Sequence, residues 1–84
     1  MIAILPISDK VQKKLKKHGL EEKFAKQKAI LSENPKHPGL HFEILEPKDY
    51  GVYSFRIDRK YRAIFIFRPD KQAIEIINVT VHYR

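Results

Sequence analysis

The chain has 84 residues, enough for one small hydrophobic core and too few for two, so we expect a single domain over residues 1–84. Its lack of cysteine excludes disulfide bonds and thiolate metal sites, and its 43% hydrophobic and 32% charged residues are typical of a folded globule. A net charge of +7 favours an anionic partner, such as nucleic acid or an acidic protein. The apolar start is too short to span a membrane and lacks the features of a signal peptide, which predicts a soluble, cytoplasmic protein with no membrane partner.

The first half of the chain predicts a short strand followed by two helices. The apolar run Ile2 to Ile7 is typical of a strand. A helix is expected from about Lys10 to His18, where Gly19 provides a C-terminal stop. A second helix is expected from about Leu20 to Ser32, because its apolar residues, including Ala25 and Ile30, recur at helical spacing.

In the second half of the chain the apolar period changes to two, which is typical of strands. The connections between these strands are short enough for antiparallel hairpins. The sequence therefore predicts an α+β fold, with a helical hairpin on one face of a four-stranded antiparallel meander that follows the short first strand. The expected strands of the meander are His41 to Glu46, Gly51 to Ile57, Tyr61 to Arg68 and Ala73 to Val81.

Alternation along these strands assigns their residues to two faces. The adjacent Ile76 and Ile77 are a pattern typical of a β-bulge. The face expected to carry the helices holds Tyr53, Phe55, Ile57, Tyr61, Ala63, Phe65, Phe67, Ile77, Val79 and Val81. The other face, which is polar and rich in arginine, holds Arg56, Arg62, Arg68, Asn78, Thr80, His82 and Arg84, together with Ile64, Ile66, Ile74 and Ile76.

The polar face predicts an anion site beside one hairpin. A three-residue connection at positions 58–60 places Arg56 opposite Arg62, and like charges directly across a ladder are destabilising unless an anion or carboxylate bridges them. Glu43 is the nearest acid by strand order, and the last strand would return His82 to the side of Arg62. Together with Tyr83, these residues offer a proton acceptor, two phosphate clamps and a proton donor.

Two segments in this order carry a family resemblance: Gly51 to Ile57 (GVYSFRI) and Lys60 to Phe65 (KYRAIF). They are similar to the glycine, aromatic, small, x, Arg-Ile pattern and the YR-apolar-apolar-aromatic strand of the RelE/ParE superfamily, the toxins of bacterial and archaeal type II toxin–antitoxin pairs. The His82-Tyr83 ending resembles the YoeB branch, whose members are ribosome-dependent mRNA endonucleases. The stretch before this ending is two residues longer than in that branch, and Arg84 extends past it or aligns with the late arginine of RelE proper.

The resemblance implies cleavage of mRNA by attack of a 2′-hydroxyl on the adjacent phosphate, with no metal and no other cofactor. It implies Glu43 as the base, Arg62 as the group that stabilises phosphoryl charge, and His82 or Tyr83 as the acid. The further residues expected to contact phosphate or RNA are Lys48, Arg56, Lys60 and Arg84.

Two other functions stay open at this point. One is a ParE-like toxin that poisons DNA gyrase without cutting nucleic acid, and the other is a non-toxic basic domain of the same fold that binds RNA or protein. The acid–base set of Glu43, His82 and Tyr83 favours the endoribonuclease. Every toxin function implies an acidic antitoxin that forms a hetero-oligomer with the chain, and the endoribonuclease also implies the ribosome and mRNA as partners.

The remaining polar candidates are expected to have no chemical role. His18, His37 and His41 lack the spacing of metal ligands, and we expect them at the surface or in turns. Arg68 stands beside Pro69 and is likewise expected in a turn.

Overall fold

A computed structural model describes residues 1–81 as two α-helices packed on one face of a five-stranded sheet. The elements are β1 (Ala3–Ile4), α1 (Asp9–Lys17), α2 (Glu21–Glu33), β2 (Glu43–Ile44), β3 (Val52–Arg56), β4 (Tyr61–Arg68) and β5 (Ala73–Val81). The strands lie in the order β1-β5-β4-β3-β2, and only the β1–β5 pair is parallel. This architecture confirms the predicted α+β class with its helical hairpin. The predicted site residues His82, Tyr83 and Arg84 lie outside the described residues.

β4 and β5 have the predicted bounds, whereas β2 is shorter than the predicted strand His41 to Glu46. A 3₁₀ turn at Pro38–Leu40 precedes β2, and His41 then adopts a left-handed conformation with φ 46°, which is incompatible with an extended strand. A second 3₁₀ turn, Lys48–Tyr50, lies between β2 and β3. The first strand is also shorter than the apolar run that predicted it.

α1 begins at a side-chain cap and turns its apolar side toward the sheet. The Ser8 hydroxyl oxygen accepts a hydrogen bond from the Val11 backbone N–H at 3.2 Å, which satisfies one of the free donors of the first turn. Val11 and Leu15 are buried, as their spacing predicts. Gly19 has a φ of +64°, a conformation that favours glycine, and it lets the chain turn into α2. Neither helix of residues 1–81 is both long and apolar enough to cross a membrane.

The core lies between the helical hairpin and one face of the sheet. On α2, Ile30 is half-buried against the core, whereas Ala25 is exposed and does not belong to the apolar stripe as predicted. Phe67, predicted for the core face, lies near the end of β4 and is 49% exposed. The buried side chains that form this core are Val11, Leu15, Leu20, Phe24, Leu31, Leu40, Phe55, Ile57, Ala63, Phe65, Ile74, Ile76 and Val79.

A β-bulge in β5 decides which of its isoleucines face the core. Ile64 pairs with Asn78 while Phe65 pairs with Ile76, so the strand carries one extra residue between these pairs. The bulge confirms the interpretation of the adjacent isoleucines, but it reverses the predicted faces on its N-terminal side, because one inserted residue shifts the alternation. The corrected residues are Ile74 and Ile76, which are buried on the core face, and Ile77, which is 40% exposed.

Candidate functional site

Three polar residues form a row across β3, β4 and β5 on the face opposite the helices. Arg56 is directly opposite Arg62, as predicted, and Arg62 is in turn opposite Thr80. The β2–β3 register pairs Glu43 with Ser54 one step away on the same face. The site is therefore positioned by the sheet ladder, which leaves little freedom in the spacing of its side chains.

The turn between β3 and β4 fixes this register through Asp58. Its Oδ1 accepts hydrogen bonds from the backbone N–H groups of Lys60 at 2.9 Å and Tyr61 at 2.8 Å, and Lys23 of α2 approaches its Oδ2 at 3.4 Å. Burial on its own would raise the pKa of Asp58, but these N–H groups and the Lys23 ammonium outweigh it and lower that pKa. The ionised carboxylate thus stabilises the turn that sets Arg56 across from Arg62.

Arg62 is buried and its guanidinium is held from three sides. Its Nε donates to the Ser54 hydroxyl at 2.9 Å and lies 3.3 Å from Oε1 of Glu43. Its Nη2 donates to the backbone carbonyls of His41 and Ser54. Arg62 is 4% exposed and Ser54 is fully buried, whereas the Glu43 side chain is 48% exposed. The buried Arg62 guanidinium therefore fixes the position of one carboxylate oxygen of Glu43, although about half of the Glu43 side chain is exposed to solvent.

The electrostatics around Arg62 favour a further anion. Burial lowers the pKa of its guanidinium, the Glu43 carboxylate opposes that change, and the neighbouring Arg56 adds to it. Arginine stays charged in proteins despite such a shift, because its ordinary pKa is far above neutral pH. Two guanidinium groups and one carboxylate leave this part of the sheet with a positive charge that a phosphate group would neutralise.

Arg56 contacts His41, a residue for which the sequence predicts no chemical role. Its Nη1 lies 3.0 Å from Nε2 of His41. His41 is exposed in a turn, as expected, but it touches both arginines, since its carbonyl also accepts from Arg62. The sequence did contain a signal for this contact: continuing the Glu43–Ser54 register by two residues places His41 opposite Arg56.

The turn that carries His41 is fastened to both the core and β3. Leu40 is fully buried, and Nδ1 of His37 accepts the Gly39 backbone N–H at 2.9 Å. From α2, the Gln27 amide nitrogen donates to the Gly39 carbonyl at 3.0 Å and to the Arg56 carbonyl at 2.8 Å. This amide ties the turn to the end of β3, so the backbone of His41 is held in place beside the arginines.

A cavity of about 310 Å³ opens beside the Arg62–Glu43 pair. Its floor is the polar face of the sheet, and the aliphatic side chains around it give it a partly apolar wall. The lining residues are Glu43, Leu45, Ser54, Arg62, Ile64, Thr80 and Val81. This volume is at the lower end of the range for small-molecule pockets and would accept a nucleotide-sized group rather than a large ligand.

The two lysines predicted to contact RNA do not adjoin this cavity. Lys48 is exposed in the 3₁₀ turn before β3, whereas Arg56 ends that strand, so the five residues of β3, at roughly 3.3 Å each, separate them. The Lys60 ammonium lies 5.5 Å from the centre of the Tyr61 ring, and Tyr61 contacts His18 on the helix side. Both lysines remain predictions as RNA contacts, and any such contact would lie outside the cavity.

The donor set of this site does not suit a metal ion. Among residues 1–81, no group of three or more histidine, aspartate or glutamate side chains is arranged to hold one. Guanidinium groups repel cations, and here they outnumber the carboxylate. The arrangement suits a proton acceptor, Glu43, next to two cations that stabilise negative charge on a bound oxyanion.

The arrangement of a helical hairpin on one face of a five-stranded sheet has a counterpart among solved structures. The chain is similar to the solved structure of a YoeB/ParE toxin from Agrobacterium tumefaciens, with a TM-score of 0.69 and 18% sequence identity over 99% of this chain and 100% of that chain. At this level of identity the likeness establishes only the fold, and the chemistry has to be inferred from the residues of the site. No family model matches the chain, and no curated protein sequence does.

Proposed function

We propose that the chain is the toxin of a type II toxin–antitoxin pair and that it cuts mRNA on the ribosome. The observation that carries this proposal is the pairing of Arg56 with Arg62 next to Glu43, at the edge of a cavity. A cation pair next to an exposed carboxylate suits phosphodiester cleavage by a 2′-hydroxyl, because it supplies a proton acceptor and stabilises negative charge on the phosphate. The similarity to the fold of a YoeB/ParE toxin supports the toxin assignment.

In the proposed reaction, the RNA 2′-oxygen forms a bond to the adjacent phosphorus while the bond from phosphorus to the 5′-oxygen breaks. Glu43 accepts the proton of the 2′-hydroxyl, and Arg62 with Arg56 stabilises the charge that develops on the phosphoryl oxygens. His82 or Tyr83 donates a proton to the leaving 5′-oxygen. The products are a 2′,3′-cyclic phosphate and a 5′-hydroxyl end. DNA lacks the nucleophile and would not be cut.

The contacts of Arg62 and Arg56 suggest that the two arginines have different roles. Arg62 is buried and bound to Ser54 and to the His41 carbonyl, so it would orient Glu43 and present a fixed charge to the phosphate. Arg56 is half-buried at the end of β3, where it would close on the phosphate from the outer side. The proposed acids follow Val81 in sequence, and Val81 lines the cavity.

The decisive experiment maps mRNA 5′ ends in cells after induction of the wild type, Glu43→Gln, Arg62→Ala and Arg68→Ala. We expect cuts within translated frames that leave 5′-hydroxyl ends, reduced by about a hundredfold or more in the first two variants because each lacks a group that acts in the transition state. Arg68→Ala removes an arginine from the same strand outside the site and serves as the matched control. Thermal unfolding of each purified variant separates lost chemistry from lost structure.

Undiminished cutting by folded Glu43→Gln and Arg62→Ala protein would refute the proposed site. Intact mRNA together with DNA-damage signalling after induction would instead indicate a gyrase poison, the second function that the fold permits. A chain that arrests no growth and cuts no RNA would be a binding domain. Glu43 distinguishes these outcomes, since a gyrase poison has no need for a proton acceptor beside Arg62.

The toxin assignment also predicts an antitoxin. A net charge of +7 on a small domain favours an acidic partner, and disordered acidic segments commonly fold on such surfaces. We expect the protein encoded by an adjacent reading frame to co-purify with the chain and to restore growth on co-expression. Absence of both rescue and co-purification would count against a toxin–antitoxin pair.

A further inference from the structure

His41 contacts both arginines of the site, through two different groups. Its backbone carbonyl accepts from Nη2 of Arg62, and Nε2 of its ring lies 3.0 Å from Nη1 of Arg56. The residue ends the 3₁₀ turn with φ 46° and ψ 49°, and this left-handed conformation interrupts the strand at a point where the chain would otherwise pair with β3. One residue thus links the buried arginine to the half-buried one.

We propose that His41 is a positioning residue that holds Arg56 beside Arg62, and that it does so only while its imidazole is neutral. The inference deepens the proposed function and rests on it in one respect, which is that Arg56 binds the RNA phosphate. His41 acts through Arg56 and is not itself assigned a contact with the reacting atoms.

The chemistry of the contact requires the neutral ring. A guanidinium nitrogen can only donate, so Nε2 of His41 must accept and must carry no hydrogen. Protonation would remove that acceptor and place an imidazolium against two guanidinium groups. Within residues 1–81, the charged groups that contact His41 are Arg56 from β3 and Arg62 from β4, which is itself paired with Glu43. From α2, the neutral Gln27 amide contacts the neighbouring Gly39 and Arg56 carbonyls.

The proposal predicts how cleavage changes with pH. Because only the neutral ring can accept from Arg56, wild-type cleavage should fall once the solution is acidic enough to protonate His41 and release Arg56. His41→Gln places an amide oxygen near the position of Nε2 and cannot titrate. We expect it to retain at least half of the wild-type rate at pH 8 and to lose the part of the acidic decline that belongs to the ring.

Removing the acceptor altogether should slow cleavage wherever the ring of the wild type is neutral, and the difference from the wild type should disappear toward acid pH. We expect His41→Ala to be about three- to tenfold slower than the wild type at pH 8, as for the loss of one hydrogen bond to a charged group that orients substrate. In an Arg56→Ala background the same change should have no further effect, because the proposed role passes through Arg56. His37→Asn alters the other histidine of the turn and should leave the pH profile unchanged.

A measurement independent of cleavage examines the contact directly. Long-range ¹H–¹⁵N spectra of the purified chain report which ring nitrogen of each histidine carries the hydrogen. We expect the neutral ring of His41 to carry it on Nδ1, with Nε2 free to accept, and we expect Arg56→Ala to relax this preference. His18, whose ring contacts Tyr61 on the helix side, is the internal control and should not respond to Arg56→Ala.

The outcomes separate this inference from the proposed function. If Glu43→Gln abolishes cleavage while His41→Gln retains the full wild-type acidic decline, the endoribonuclease stands and the role of His41 is refuted. If neither the wild type nor any variant cuts RNA, the proposed function is refuted. The spectra alone then test whether Nε2 of His41 accepts a hydrogen bond from Arg56. A hydrogen on Nε2 of His41 in the wild type, or a tautomer indifferent to Arg56→Ala, would overturn the inference in either case.

Discussion

β4 carries an arginine near each end, and the two differ in what surrounds them. Arg68 lies at the surface with a carboxylate on either side: its Nη2 is 3.0 Å from Oδ2 of Asp70 and its Nη1 is 2.7 Å from Oε1 of Glu75. Arg62 is buried, meets one carboxylate, Glu43, and has a second arginine opposite it. The same residue type on the same strand thus occupies two opposite electrostatic settings.

The two ends of β4 differ in whether nearby carboxylates compensate the charge of the arginines. Hydrogen bonds and charge from Asp70 and Glu75 raise the pKa of Arg68, and Arg68 lowers that of Asp70, so the positive charge of Arg68 is already compensated by protein groups. At Arg62, burial lowers the pKa and no second carboxylate of the described chain compensates. An anion bound from outside would compensate the excess positive charge of the arginine pair. For this reason we propose the functional site at this end of the strand.

The largest expected effect on stability comes from Arg62→Ala. Truncation leaves the buried Ser54 hydroxyl and the backbone carbonyls of Ser54 and His41 without their donor, and we expect the free energy of unfolding to fall by about 2–3 kcal/mol. Urea unfolding monitored by circular dichroism measures it. If Arg62→Ala lowered the free energy of unfolding less than Arg68→Ala, the burial of Arg62 would contribute nothing to stability. The contrast drawn between the two arginines would then be wrong.

The next effect concerns the turn that aligns Arg56 with Arg62. Asp58→Ala removes the acceptor of two backbone N–H groups, and we expect a loss of about 1–2 kcal/mol. Because the folded-state pKa of Asp58 is lowered from 3.8, its charge-dependent stabilisation is present above that pH and is lost as the pH falls through the lower folded value. Asp58→Asn keeps an acceptor oxygen, so it should retain most of the stability and lose only this pH dependence.

A smaller effect measures the excess charge at Arg62 directly. Inorganic phosphate, at a few times its dissociation constant, should stabilise the wild type by about 0.5–1 kcal/mol relative to sodium chloride of equal ionic strength, since a ligand that binds only the folded state raises its stability. Arg56→Ala should abolish the difference and Arg68→Ala should preserve it. Equal gains in all three proteins would indicate a general salt effect rather than a site.

The smallest effect is expected at the other end of β4. The Arg68 side chain is 34% exposed and those of its partners are 59% and 37% exposed, so solvent screens both ion pairs. Arg68→Ala should change the free energy of unfolding far less than Arg62→Ala does and leave RNA cleavage unaltered. A loss comparable with that of Arg62→Ala would mean that the surface cluster also determines the fold.

The fold was predictable from the sequence wherever periodicity and turn residues agree. β4 and β5 match their predicted bounds, and the three-residue connection after β3 correctly placed Arg56 opposite Arg62. The faces of β5 before its bulge were wrong, since one inserted residue reverses the alternation and an apolar sequence pattern does not show on which side it falls.

The site was predictable only as far as strand register reaches. Glu43 beside Arg62 and Thr80 across from it follow from the order of the strands. The contact of His41 with Arg62 did not, because it depends on a left-handed backbone and on a carbonyl, and neither is encoded by residue type. The roles of Glu43, Arg62, His82 and Tyr83 stay predictions until cleavage by their variants is measured.

The parallel pairing of β1 with β5 has a consequence for the order in which the chain folds. The pair joins Ala3 to Ala73, so the loop that it closes contains almost every other element, and closing a long loop costs more entropy and takes longer than forming a hairpin. Strands β2 to β5 can assemble through successive local hairpins, whereas β1 has no strand to pair with until β5 is in place. We expect docking of the N-terminal strand to complete folding, and Ile4, which packs against the core from β1, is the residue to label in order to observe it.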